Sequence, residues 1–155
     1  MVKRRKQKKK GESVHFIGIG GIGVSALAKY FLARGVSLSG SDIKETEITS
    51  ELVKLGARVK IGLHKAQNIP SGTTRVIYTA AVRKENPEYR EAKRRRIPTQ
   101  SYAEAIGELT KRSETITISG AHGKSTTTAL SALVLEEGYC DPTVIIGTKV
   151  KEFGD

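Results

Sequence analysis

Short apolar runs alternate with longer stretches of helical period along most of the chain, and glycine stands at many of the junctions. Ser13 to Ile17 (SVHFI) reads as a buried strand that runs into Gly18. Apolar positions then recur at helical spacing from Gly23 to Ala33, and Gly35 closes that helix. Val36 to Ser39 predicts a second strand that delivers Ser41 and Asp42 at its carboxyl end. Glu45 to Leu55 predicts a helix stopped by Gly56, and Arg58 to Ile61 a third strand. A fourth, Arg75 to Tyr78, follows the polar turn Pro70-Ser71-Gly72.

Asn86-Pro87-Glu88 has the order of a helix start: Asn as N-cap, Pro at the first helical position, and an acid facing the positive helix end. This helix should stop before Pro98, and Tyr102 to Thr110 predicts another. After a polar connector at Lys111 to Glu114 comes a second strand, glycine turn and helix: Thr115 to Ser119 (TITIS), Gly120 to Ser125, then Thr126 to Glu137 ending at Gly138. Val144 to Ile146 would open a further strand. The alternation predicts an α/β fold, a Rossmann-like parallel sheet with helices on both faces, followed by the start of a second domain that opens on a P-loop-type strand, turn and helix. The expected divisions are a tail over 1–12, a first domain over 13–112 and the opening of a second over 113–155.

Composition changes this picture little. Aromatics are 5% of residues and Trp is absent, so the core has to be built largely from Val, Ile, Leu and Ala. The net charge of +11 suggests a polyanion partner, but seven of the 27 basic residues lie within MVKRRKQKKK at the start. Without them 20 basic residues face 16 acidic ones, a balance of +4. Such a run cannot bury apolar surface, and it reads as a disordered solvated tail in preference to a specific nucleic-acid site. The second basic cluster, Lys93 to Arg96, suits a solvated helix end. Cys140 stands alone, which excludes an internal disulfide and a cysteine metal cluster and is compatible with a reducing cytoplasm. Val14 to Ala33 has nearly the length of a membrane span, but its glycines, His15 and Lys29 argue for strand, turn and helix; no membrane insertion is expected.

Two turns carry candidate chemistry. Gly18-Ile19-Gly20-Gly21-Ile22-Gly23 satisfies GxGxxG between a strand and a helix, where glycine lets backbone amides approach a diphosphate. Ser25 would add a hydroxyl donor. Asp42 follows Gly23 by the interval at which an acid meets a ribose. Read alone, this loop suits NAD as well as another nucleotide. Gly120-Ala121-His122-Gly123-Lys124-Ser125-Thr126 ends as a phosphate loop does, although Ile118 stands where the usual first glycine would fall. Two phosphate-type turns imply two nucleotides, one more than a simple dehydrogenase needs.

HFIGIGGIGVSALA, GSD at Gly40 to Asp42, LGARVKIGLH, YTAAVRKENPE, IPTQSYAEAIGEL and ISGAHGKSTTTAL, in that order, resemble the Mur ligases of peptidoglycan synthesis over about residues 13–150. The resemblance implies that the first domain binds the UDP part of UDP-N-acetylmuramate. Gly20, Gly21, Ile22 and Gly23 would hold the diphosphate, Ser41 and Asp42 would lie beside the uridine, and His64, Thr79, Ala80 and Ala81 would line the same crevice. Asn86 reads as a cap in preference to a contact. ATP would sit on Gly120, Ala121, His122, Gly123, Lys124, Ser125 and Thr126, with Mg²⁺ on Ser125 and Lys124 as the catalytic group that stabilises the transferred phosphate.

The reaction implied turns the muramyl carboxylate into an acyl phosphate, which the amine of L-alanine attacks. The GIGGIG form of the loop argues for this alanine-adding branch over the peptide-recycling one. Two departures stand out: Ala121 replaces the family's common Thr, and Tyr102 occupies a position where many members carry Arg. At 155 residues the chain is also shorter than such a ligase, so the expectation is an amino-terminal part that binds the UDP sugar without completing catalysis, L-alanine requiring a further carboxyl-terminal region. An NAD(P)-binding protein and a non-catalytic nucleic-acid-binding module are the alternatives from other classes.

Overall fold

The structure, a computed structural model, describes residues 11–148. In chain order the elements are β1 (Ser13–Ile17), α1 (Ile22–Ala33), β2 (Ser37–Asp42), α2 (Glu47–Lys54), β3 (Arg58–Ile61), β4 (Arg75–Tyr78), α3 (Pro87–Arg94), β5 (Thr99–Ser101), α4 (Tyr102–Thr110) and α5 (Lys124–Glu137), with a 3₁₀ turn at Ala66–Asn68. The five strands form one parallel sheet in the order β3-β2-β1-β4-β5. The chain therefore winds outward from β1 to β3, returns across the sheet, and winds the other way through β4 and β5. The order reverses between β1 and β4, and a crevice opens at the carboxyl ends of strands at such a point.

Side chains alternate across β1, so one strand serves two cores. Val14 and Phe16 point to the face covered by α1, α2 and α4, where Leu27, Ala28, Phe31, Leu38, Leu52, Ile77 and Ala105 join them. Phe16 and Phe31 meet edge to face at 6.1 Å, so two of the few aromatics sit in a core otherwise made of small aliphatic residues. Ile17 points the opposite way and packs with Ile69, Val76, Ala92 and Ile97 beneath α3. The same phase puts His15, Ser39 and Ser41 on the α3 side, with His15 beside Ser39 and Ile17 beside Ser41 across the ladder. All three polar residues are buried.

Local chemistry fixes the helix starts. Thr46 and Thr49 form a reciprocal capping box at α2, as do Ser101 and Glu104 at α4. Asn86 caps α3 by accepting the amides of Glu88 and Tyr89. In the basic cluster, the Arg95 guanidinium donates to the carbonyls of Ile69, Pro70 and Ser71, which ties the end of α3 to the loop before β4. Arg94 pairs with Glu91 on the surface.

The second strand, turn and helix forms only in part. TITIS is irregular, with Ile116 exposed, because none of the five strands lies alongside to complete its backbone pairing. Val144 to Ile146 is irregular too. Helix α5 begins at Lys124, two residues earlier than expected, and buries only Ala132, leaving Leu130 and Val134 exposed. In the other direction, β5 forms from Thr99-Gln100-Ser101, which has no strand-like apolar pattern. The expected tail lies outside the described residues apart from Gly11 and Glu12. The Glu12 carbonyl already accepts the amide of Ser37. No described helix is long and apolar enough to cross a membrane.

Candidate functional site at the carboxyl edge of the sheet

Gly18 leaves β1 in a left-handed conformation, φ 79°, and a Cβ there would collide with the methyl of Thr79. Glycine is required on both counts. The amides of Gly18 and Ile19 donate to the Ser41 carbonyl at 2.9 and 3.0 Å, fastening the loop to the end of β2. Gly20 donates its amide to Asp42 Oδ2 at 2.8 Å, and the Lys44 backbone amide donates to Oδ1 at 3.3 Å. Asp42 is thus a brace for the loop. The Gly20 amide, expected on a diphosphate, faces this carboxylate.

The remaining loop amides stand at the start of α1. Gly21 is the N-cap and no side chain caps the helix; Ile22 and Gly23 occupy its first two positions, whose amides have no acceptor within the helix. With the helix dipole behind them, they favour an anion. Ser25 does not join them, because it is buried and donates to the Ile22 carbonyl at 2.8 Å. Tyr102 covers the other side: a Cβ on Gly23 would come within 3.0 Å of its hydroxyl. Burial pushes the Tyr102 phenol above its ordinary range. Thr79 to Ala81 turn at the end of β4, where Thr79 Oγ1 accepts the Ala81 amide, so this segment faces Gly18 across the crevice.

Beneath the crevice lies a buried polar cluster that sequence reading did not single out. Glu88, on the first turn of α3, has a fully buried side chain. Its Oε2 accepts from Ser41 Oγ at 2.7 Å and lies 2.9 Å from His15 Nε2. Its Oε1 accepts from Asn68 Nδ2 at 2.7 Å and lies 3.0 Å from His64 Nδ1. Burial would push the Glu88 carboxyl up. Hydrogen bonds from His15, Ser41 and Asn68 outweigh it and bring the pKa down from 4.5 to about 2. Ser41 and His64, both expected at the site, thus stand on one carboxylate.

The second turn is separate. Gly123 is left-handed, φ 76°, and caps α5; the Lys124 ammonium folds back to donate to the carbonyls of Gly120 at 2.7 Å and Ala121 at 3.1 Å. His122, Ser125 and Thr126 are exposed. No hydrogen bond or ion pair among the described residues links this turn to the first loop. No group of three or more His, Cys, Asp or Glu side chains gathers there to hold a metal, again among the described residues.

Residues 13–114 match the family described as "Mur ligase family, catalytic domain". The chain is 48% identical over 141 residues to a UDP-N-acetylmuramate–L-alanine ligase of Anaeromyxobacter sp. (strain Fw109-5), covering 91% of this chain and 30% of that protein. It is 46% identical over 140 residues to the ligase of the same name from Aquifex aeolicus, covering 90% and 30%. The crystal structure of the UDP-N-acetylmuramate–alanine ligase of Thermotoga maritima superposes with a TM-score of 0.83 at 38% identity, over 90% of this chain and 33% of that one. The chain therefore spans about a third or less of the length of the relatives it matches. Its glycine turn on a β3-β2-β1-β4-β5 sheet and its match over residues 13–114 make this chain a member of the Mur ligase family.

Proposed function

We propose that residues 13–112 form a domain that binds the UDP end of UDP-N-acetylmuramate, and that residues from 113 onward open an ATP-binding domain. Together they would form the amino-terminal part of a cytoplasmic ligase that joins L-alanine to that sugar. The carrying observation is the helix start at the crevice where the strand order reverses: the amides of Ile22 and Gly23 lack helical acceptors, and that of the N-cap Gly21 makes only a 3.4 Å bond to the Gly18 carbonyl. The diphosphate rests on these three amides, and the nucleoside lies toward Ser41, Asp42 and His64 at the ends of β2 and β3. Thr79, Ala80 and Ala81 form the opposite wall. Gly20 contributes by holding Asp42 instead of by touching phosphate.

The residues around α5 fit a nucleoside triphosphate in outline. Gly123 supplies the left-handed turn, a 14-residue helix presents its first amides, and the Lys124 ammonium is within reach of the loop. ATP would supply the phosphoryl group that activates the sugar's carboxylate. Lys124 would exchange its contacts to Gly120 and Ala121 for phosphate oxygens, and Ser125 would offer its hydroxyl to the Mg²⁺ that accompanies the triphosphate. Ala121 offers no hydroxyl to this loop.

Calorimetric titration with UDP-N-acetylmuramate and with NADH separates this reading from a dinucleotide one. Saturable binding of the UDP sugar and none of NADH is expected; NADH binding with no response to the UDP sugar overturns the proposal.

A further inference from the structure

The buried cluster under the crevice fixes more than position. Glu88 is ionised at neutral pH and can only accept hydrogen bonds. Each nitrogen that touches it must carry a proton, so His15 bears hydrogen on Nε2 and His64 on Nδ1. The single Ser41 proton goes to Glu88 Oε2, so Ser41 Oγ, 3.1 Å from His64 Nδ1, accepts from the same N–H. A neutral imidazole with its proton on Nδ1 presents a lone pair at Nε2. No protein group among the described residues bonds His64 Nε2, and it is not among the buried unpartnered polar atoms, which are Thr73 Oγ1 and Gln100 Oε1. His64 is 14% exposed, in the loop that follows β3, so this acceptor opens at the carboxyl edge of the sheet.

We propose that Glu88 is a positioning residue that holds His64 in the Nδ1–H tautomer, so that His64 Nε2 accepts a hydrogen bond from an N–H or O–H of the bound nucleoside. This rests on the uridine-nucleotide reading above. An acceptor beside phosphate oxygens is repelled, which places the contact on the nucleoside end. A uridine nucleotide has donors of this kind in its imide N3–H and its ribose hydroxyls. Asn68 anchors the second Glu88 oxygen and keeps the carboxylate in the plane that serves both histidines.

Long-range ¹H–¹⁵N correlation on the ¹⁵N-labelled full chain at neutral pH reads the tautomer directly and needs no variant. The expected pattern has an N–H at His64 Nδ1 and a free Nε2 whose nitrogen shift moves when UDP is added. Calorimetry with UDP and with its 3-methyluridine, 2′-deoxy and 3′-deoxy analogues then finds the donor, because the analogue lacking it binds more weakly. In Glu88→Gln, with its fold verified by amide dispersion, the tautomers mix and UDP affinity falls about tenfold, while affinity for the analogue without the donor stays unchanged. An Nε2–H tautomer in the unaltered chain overturns the proposal, as does an equal loss for UDP and all three analogues in Glu88→Gln. A chain that shows the Nδ1–H tautomer but binds no UDP overturns the nucleotide reading instead.

Discussion

Glu88→Gln removes a buried charge while keeping the size of the side chain, and the structure sets the size of the effect. The carboxyl pKa falls from 4.5 to about 2, and at about 1.4 kcal/mol per unit the ionised form contributes on the order of 3 kcal/mol to folding. Because the folded pKa is the lower one, this contribution is fully present above pH 4.5 and is lost as pH falls toward 2. The amide cannot serve four donors, and its NH₂ must face either the pair His15 and Ser41 or the pair His64 and Asn68. Urea unfolding of both proteins at a series of pH values from 7 down to 2.5 provides the assay. Subtracting the two curves cancels the other carboxylates, leaving Glu88 and the two histidines that face it. The expected difference is about 3 kcal/mol near neutrality and narrows steadily below pH 4.5. A difference under about 0.5 kcal/mol at pH 7, or one that widens between pH 4.5 and 2.5, would refute the view that donors outweigh burial at this carboxylate.

Three further outcomes follow from the geometry. Gly18→Ala should destabilise the domain by about 2 kcal/mol or more, combining a left-handed backbone with a clash against the Thr79 methyl, and Thr79→Ser should recover part of the loss in chemical denaturation. Asn86→Ala removes the cap of α3 and should cost about 1 kcal/mol in the same assay, with Asn86→Asp close to neutral. Lys124→Ala in a full-length ligase carrying this segment should eliminate amide formation and leave UDP-sugar binding within about twofold, read by product assay and calorimetry; an unchanged rate would remove Lys124 from the proposed chemistry.

Much of the fold was legible because local signals and tertiary packing agree. SVHFI, RVKI and RVIY form the strands their composition suggests, and YAEAIGELT forms its helix with Ser101 and Glu104 as a capping box. The glycine loop, Ser41, Asp42 and Thr79 meet at one edge because strands of known direction deliver them there. Failures arose where a neighbour decides. Thr99-Gln100-Ser101 is a strand only because β4 runs beside it, and TITIS lacks such a neighbour although its own pattern is better. Glu88 was read as a helix-dipole acid, which it is by position; its partners His15, Ser41, His64 and Asn68 lie 20 to 73 residues away in sequence. A usable signal existed in His15, Ser39 and Ser41, polar residues that share one phase of two strands expected to be buried.

That polar row also protects the sheet against misalignment. A slip of β2 by one residue would turn Ser39 and Ser41 into the oily layer under α1 and bring Leu38 and Gly40 over the polar cluster, leaving Glu88 without Ser41 and His15 without Ser39. A strand of Val and Leu alone would tolerate such an error far more cheaply. With Ser39 answering His15 and Ser41 answering Glu88, β1 and β2 recognise each other in one alignment, and the loop amides that follow β1 come to rest at one height above the crevice.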